Sequence, residues 1–194
     1  MTAFEFLEPA GAAVARSPME GQALAAGGRF EVRDGWNVAV SYPTNGPLTW
    51  TDMSHLRKVE VHGRHELALG QASRANGGWW CPVTRDRALA IGDGDAEGLD
   101  VTCSFAALSI AGPGAREVFA RFCALDLRER EMPVGAFRPG SVARTPGYVL
   151  REDEDRFLML FGWALGEYMW SVVADAATSL GGAPAPAREV AAHA

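Results

Sequence analysis

A chain of 194 residues with 48% hydrophobic and 22% charged residues has room for one domain with a true core. Its net charge of −6 excludes a general nucleic-acid binder, which needs a surplus of Lys and Arg on one face. No apolar run approaches the ~20 residues of a membrane helix, and the acidic opening "MTAFEFLEPAGAAVARS" lacks the pattern of a signal peptide, so a cytoplasmic protein is expected.

Residues 1–30, rich in Ala and Gly, read as an N-terminal arm with a turn at Ser17-Pro18. One domain is expected over 31–182. "GWNVAVSY" alternates as a strand and ends at the turn-forming "PTNGP". In "LRKVEVHG", Val59 and Val61 face one way while Lys58, Glu60 and His62 face the other. "HELALG" offers Leu67 and Leu69 as partners, so Val61–Leu67 and Val59–Leu69 pairs predict a hairpin with Gly63, Arg64 and His65 as its loop.

"SRANGG" predicts a turn, and "RALAIG" a short strand leading into the glycine-rich "GDGDAEG". "DVTCSFAALSIA" is strand-like. After Gly112-Pro113 a helix should bury Val118, Phe119, Phe122 and Leu125. "EMPVGAFRPGSVARTPGYVL" reads as extended chain broken by turns, and "DRFLMLFG" as a strand buried on both faces. The last helix sets Leu165, Met169, Val172, Val173, Ala176 and Leu180 on one stripe before Gly181-Gly182 stops it. Residues 183–194 have the composition of a disordered tail. Strands with a few packed amphipathic helices make an α+β protein, mainly antiparallel.

His55, His62 and His65 crowd one short stretch and raise the question of a metal. On an unbroken strand His55 and His62 point to opposite faces with backbones ~20 Å apart, whereas a zinc ion needs every ligand atom within about 2 Å. No metal site is expected. "GDGDAEG" places Asp93, Asp95 and Glu97 alternately but lacks the rest of a calcium loop. Cys81, Cys103 and Cys123 read as buried reduced thiols. The Asp–Ser–His of "WTDMSH" cannot converge as a triad along one strand, so no catalytic residue is assigned. Trp79 and Trp80 are neighbours on a strand and face opposite sides, which makes the pair a candidate interface or pocket anchor.

Three stretches carry a family resemblance. "TDMSHLRKVEVHG" resembles the "DxSHxxKxxVxG" strand of glycine-cleavage T-proteins, the folate-dependent aminomethyltransferases. "ALSIAGPGAREVF" resembles their "ALQGPKAxxVL", and residues 141–182 resemble their "RTGYTGEDGFE" turn, strand and "LWxxLxxAG" helix. The chain is more similar still to the gamma subunit of heterotetrameric sarcosine oxidase, through Asp100-Val101-Thr102, Gly112 to Arg116, Cys123 to Leu127 and Tyr168 to Trp170.

The resemblance implies a truncated aminomethyltransferase folate-binding-like fold. It implies larger flavoprotein partners of an amine oxidase complex in bacterial one-carbon metabolism, with flavin on those subunits. Tetrahydrofolate is a possible ligand, and no cofactor is implied as firmly bound here. Arg144 and Tyr148 carry over as cofactor-binding positions. The T-protein acids are missing: tryptophans stand in "ANGGWWCPVTRDRALAIG", only Asp86 is near, and Glu152 or Glu154 stands in for the pterin-holding Glu. A scaffold subunit is therefore expected ahead of the alternative, a stand-alone tetrahydrofolate-dependent aminomethyltransferase or demethylase-like enzyme.

Overall fold

The computed structural model of the chain describes residues 12–92 and 95–187. In chain order the elements are β1 (Ala15–Arg16), α1 (Glu20–Ala25), β2 (Arg29–Arg33), β3 (Trp36–Ser41), β4 (Thr49–Asp52), β5 (Lys58–His62), β6 (Ser73–Ala75), β7 (Gly78–Pro82) and β8 (Arg87–Ile91). They continue with β9 (Leu99–Asp100), β10 (Phe105–Ala111), α2 (Ala115–Ala120), β11 (Phe137–Val142), β12 (Thr145–Asp153), β13 (Arg156–Gly162), α3 (Gly166–Thr178) and β14 (Ala183–Pro184).

Three sheets form, ordered β1-β3-β2, β11-β12-β13-β10-β4-β14 and β6-β7-β8-β5-β9. All pairings are antiparallel except β1 with β3 and β14 with β4. The six-stranded sheet is the middle layer. On β13, Phe157, Met159 and Phe161 join a core shared with Val118 and Phe119 of α2 and Met169 and Val173 of α3. Leu158 and Leu160 point the other way, into a second core with Trp79, Cys81, Leu89 and Ile91 of the five-stranded sheet. A strand with both faces covered needs an unbroken apolar run, which is what "RFLMLF" supplies.

Turn chemistry sets two of the hairpins. Asn76 and Gly77, with φ of 47° and 79°, join β6 to β7 as a two-residue primed turn. At Gly112 (φ 102°) a Cβ would run into the Pro47 carbonyl, so only glycine permits β10 to pass the 46–48 turn there.

Several expectations are corrected. Residues 64–70 form no strand, and the Val61–Leu67 and Val59–Leu69 pairs do not exist. Val61 and Val59 lie opposite Ala88 and Ala90 instead, and β9 closes the other side of β5. Alternation identified residues sharing a face; the partner strand was set by packing at a distance. The arm is ordered from Ala12, with Met19 and Ala23 in the first core. From the tail, Ala183–Pro184 pair with Thr49–Trp50 of β4; residues 188–194, like 1–11, lie outside those described. On α3 the buried stripe is Met169, Trp170, Val173, Ala176 and Ala177, so Trp170 and Ala177 replace Val172 and Leu180, which are only partly buried.

Candidate functional site between the two large sheets

The second core carries polar groups at its rim. Trp79 lies opposite Arg74 in the β6–β7 hairpin, and the guanidinium sits 4.2 Å from the indole centroid. The Trp79 indole Nε1 donates to the Glu152 carboxylate at 3.0 Å. Burial raises the Glu152 pKa above the usual carboxylate value, an effect opposed by the Trp79 bond and by Arg74 and Arg156. Burial also pushes the Cys81 thiol up, with Glu152 adding to it, so Cys81 stays a neutral thiol at physiological pH.

Along β12, the Tyr148 ring stacks on Phe137 with centroids 5.1 Å apart and planes 9° from parallel. Phe105 meets the same ring edge-on at 6.1 Å. The result is a stack of aromatic rings on the strand that also carries half-buried Glu152, with roughly 13 Å of extended chain between Tyr148 and Glu152.

Arg144 sits elsewhere, exposed in the β11–β12 turn with φ of 64° beside Ala143 at 48°. Both residues occupy the left-handed region without being Gly or Asn, which costs roughly 1–2 kcal/mol each. The Ala143 carbonyl accepts from the Tyr168 hydroxyl at 3.1 Å. Arg144 precedes the first residue of β12 and Glu152 is near its end, so extended chain separates them by roughly 25 Å. The structure therefore joins Trp79 to Glu152 and leaves Arg144 apart. Trp80 faces away from Trp79 and is half-buried on the other side of the sheet. Glu154 is exposed, its carbonyl accepting from Arg151 at 3.0 Å.

A second polar knot lies where β4 of the middle sheet passes into β5. Asp52 Oδ1 accepts from the Ser54 amide at 2.9 Å, and Ser54 Oγ accepts from the Ala107 amide at 3.2 Å. Lys58, the chain's one lysine, is fully buried and donates to the Ser54 and Leu56 carbonyls at 2.9 and 2.8 Å. Burial lowers its pKa to about 8 against the pull of Asp52, Cys103 and Asp100. Burial raises the Asp52 pKa, with bonds from Ser17 and Ser54 working against it. These residues of "TDMSHLRK" tie two sheets together and present no group to solvent for chemistry.

The histidines do not converge. His62 lies 2.7 Å from Glu60, and His65 contacts backbone carbonyls. Among the described residues no group of three or more His, Cys, Asp and Glu is placed to share a metal; Asp93 lies outside them. Cys103 is exposed rather than buried, because it falls in the 3-10 turn before β10. Sequence reasoning missed the inward Lys58, the Trp79–Glu152 bond and fully buried Arg151, which donates to the Met132 carbonyl at 2.9 Å.

A chain of heterotetrameric sarcosine oxidase from Corynebacterium sp., solved with pyrrole 2-carboxylate, superposes with a TM-score of 0.67 at 19% identity, covering 91% of this chain and 99% of that one. Aminomethyltransferase T of the glycine cleavage system from Bartonella henselae superposes with a TM-score of 0.70 at 14% identity, covering 90% of this chain and 60% of that one. No family model and no curated protein matches by sequence. The chain thus has the aminomethyltransferase T-like fold that the three stretches implied, and it spans 60% of the length of the aminomethyltransferase T chain.

Proposed function

We propose that the chain is a non-catalytic, gamma-like subunit of a sarcosine-oxidase-type complex that oxidises N-methylated amines or amino acids. The observation that carries this reading is the end-to-end match: 99% of the sarcosine oxidase chain is covered, against 60% of the aminomethyltransferase. The site supports it. The carboxylate standing in for the pterin-holding Glu is engaged by Trp79 of its own chain, and Cys81 and Lys58 are buried without access to a substrate. In this reading flavin and the oxidative chemistry belong to larger partner subunits in the cytoplasm. This chain contributes surface, with half-buried Trp80 as an anchor, while Trp79 serves the chain's own core.

Isolation of the chain from its native host should bring down flavin-containing larger chains at fixed stoichiometry. Recovery of the chain alone at native concentration contradicts the reading.

The Tyr148–Phe137 stack on the Glu152 strand favours a second reading, a tetrahydrofolate-dependent enzyme, with Arg144 assigned by the resemblance alone. Calorimetry with tetrahydrofolate separates the two. Tight binding by the isolated chain, weakened by Tyr148→Phe or Arg144→Ala, supports the enzyme; heats no larger than buffer dilution support the subunit.

A further inference from the structure

Five buried side-chain polar atoms have no hydrogen-bond partner among the described residues. Two are the Nε atoms of Arg116 and Arg151, whose Nη atoms reach Glu129. The other three are Glu20 Oε2, Tyr42 Oη and Trp50 Nε1. Their side chains meet where the N-terminal arm packs on the helix-side core, which takes in Met19, Ala23 and Trp50 and has Tyr42 against it.

Local structure brings each of them to this seam. Glu20 opens α1 and is only 7% exposed. Its Oε1 accepts from Arg16 at 3.1 Å, which leaves Oε2 without a donor. Trp50 on β4 lies opposite Ile110, so it shares the apolar face of β10, and its indole meets Trp170 edge-on at 6.0 Å. Tyr42, just after β3, lies against the end of α1: a Cβ on Gly28 would stand 3.0 Å from its ring and 2.8 Å from the Ala23 carbonyl. Burial and the neighbouring Asp52 carboxylate push the Tyr42 hydroxyl well above the ordinary phenol range, so it stays protonated and able to donate. Ser17 spans the seam: its carbonyl accepts from the Glu20 amide at 3.1 Å, and its hydroxyl bonds the Asp52 carboxylate.

We propose that the seam between α1 and β4 is a binding site for structural water, a short network that accepts from Tyr42 Oη and Trp50 Nε1 and donates to Glu20 Oε2. A buried polar group without a partner bears its full desolvation penalty, and folded proteins relieve it with ordered water. The chemistry of the three atoms selects water over an ion. The indole N–H can only donate, which disfavours a cation, and the carboxylates of Glu20 and Asp52 disfavour an anion. Water both accepts and donates, with about three bonds at a typical buried site. The arm is thus held to the sheet through bridging water as well as through the Ser17–Asp52 bond. The inference is independent of the subunit reading.

The six tryptophan indole protons of the full chain, assigned by single Trp→Phe variants, are the probes. Nuclear Overhauser transfer from water is recorded together with its rotating-frame counterpart, which separates it from direct proton exchange. Transfer should reach the Trp50 Nε1 proton with the sign of a long-held water. The Trp79 proton, already given to Glu152 at 3.0 Å, should receive none. In Tyr42→Phe the Trp50 signal should persist, since no phenol proton is left to relay it. Glu20→Leu removes the acceptor and should weaken the signal severalfold, whereas Glu20→Gln keeps an acceptor oxygen and should retain it. No transfer to Trp50 in the wild-type chain overturns the network, as does loss of the signal in Tyr42→Phe. An unchanged signal in Glu20→Leu overturns the place of the carboxylate in it.

Discussion

The two cores that share the six-stranded sheet are built on different principles. On the helix side, β10, β13, α2 and α3 contribute apolar side chains, with the fully buried Arg151 guanidinium at their edge, 5.8 Å from the Phe157 ring centroid. On the other side, the layer between the large sheets is ringed by polar groups: buried Lys58 and Ser54, half-buried Asp52, and half-buried Glu152 bonded to Trp79. The first is held mainly by apolar burial. The second depends on every donor finding its acceptor, since a buried polar group left unpaired costs more than the bond itself contributes.

The largest difference should appear on truncation in the helix-side core. Phe157 is fully buried, with Phe119 5.3 Å away between centroids. Phe157→Ala should cost about 3–5 kcal/mol in urea unfolding, with no change in the pH dependence of stability. A loss under about 1 kcal/mol would mean that this core is loose, and the contrast would fail.

Lys58→Met probes the other side. With a folded pKa of about 8, below the ordinary lysine value of 10.5, Lys58 binds fewer protons folded than unfolded between those values. The cost of burying its charge is thus fully present below pH 8 and is relieved as pH rises toward 10.5. Across that window the wild-type unfolding midpoint should gain on that of Lys58→Met, while the raised Cys81 thiol and Tyr42 hydroxyl lower both proteins alike. An identical slope in the variant would show the amine to be solvated. Trp79→Phe is a smaller test. It leaves the Glu152 carboxylate without its indole donor and should cost about 1–3 kcal/mol. The Trp79 bond works against burial and favours the ionised Glu152 carboxylate; the Trp79→Phe deficit is therefore full above the folded pKa and should shrink in acid, where the carboxyl is protonated in both proteins.

The same contrast explains what could be read in advance. The helix-side layer announces itself by local pattern: "DRFLMLFG" as a run buried on both faces, Val118 and Phe119 on one side of α2, Met169 and Val173 on α3. Lys58 was read correctly as opposite in face to Val59 and Val61, but the alternation left open that its face is buried. In the sheet it lies opposite Ile91, a residue of the second core, while Val59 and Val61 share the face of Ala90 and Ala88. Alternation says which side chains travel together but not which face is covered. Glu152 could be found as a stand-in by motif, yet nothing in "LREDED" says that an indole 73 residues away will hold it.

The amino-acid order alone therefore determined the α+β class, most strands, the apolar stripes of α2 and α3 in outline, the Asn76-Gly77 turn and the three stretches that point to the aminomethyltransferase T-like fold. Tertiary structure alone decided the partners of β5, the recruitment of Ala183–Pro184 into the sheet, the inward turn of Lys58 and the pairing of Trp79 with Glu152. Local conformation and side-chain periodicity are properties of neighbours in the chain. Which face is buried, and which charge finds a partner there, depends on layers that meet only once the whole chain has packed.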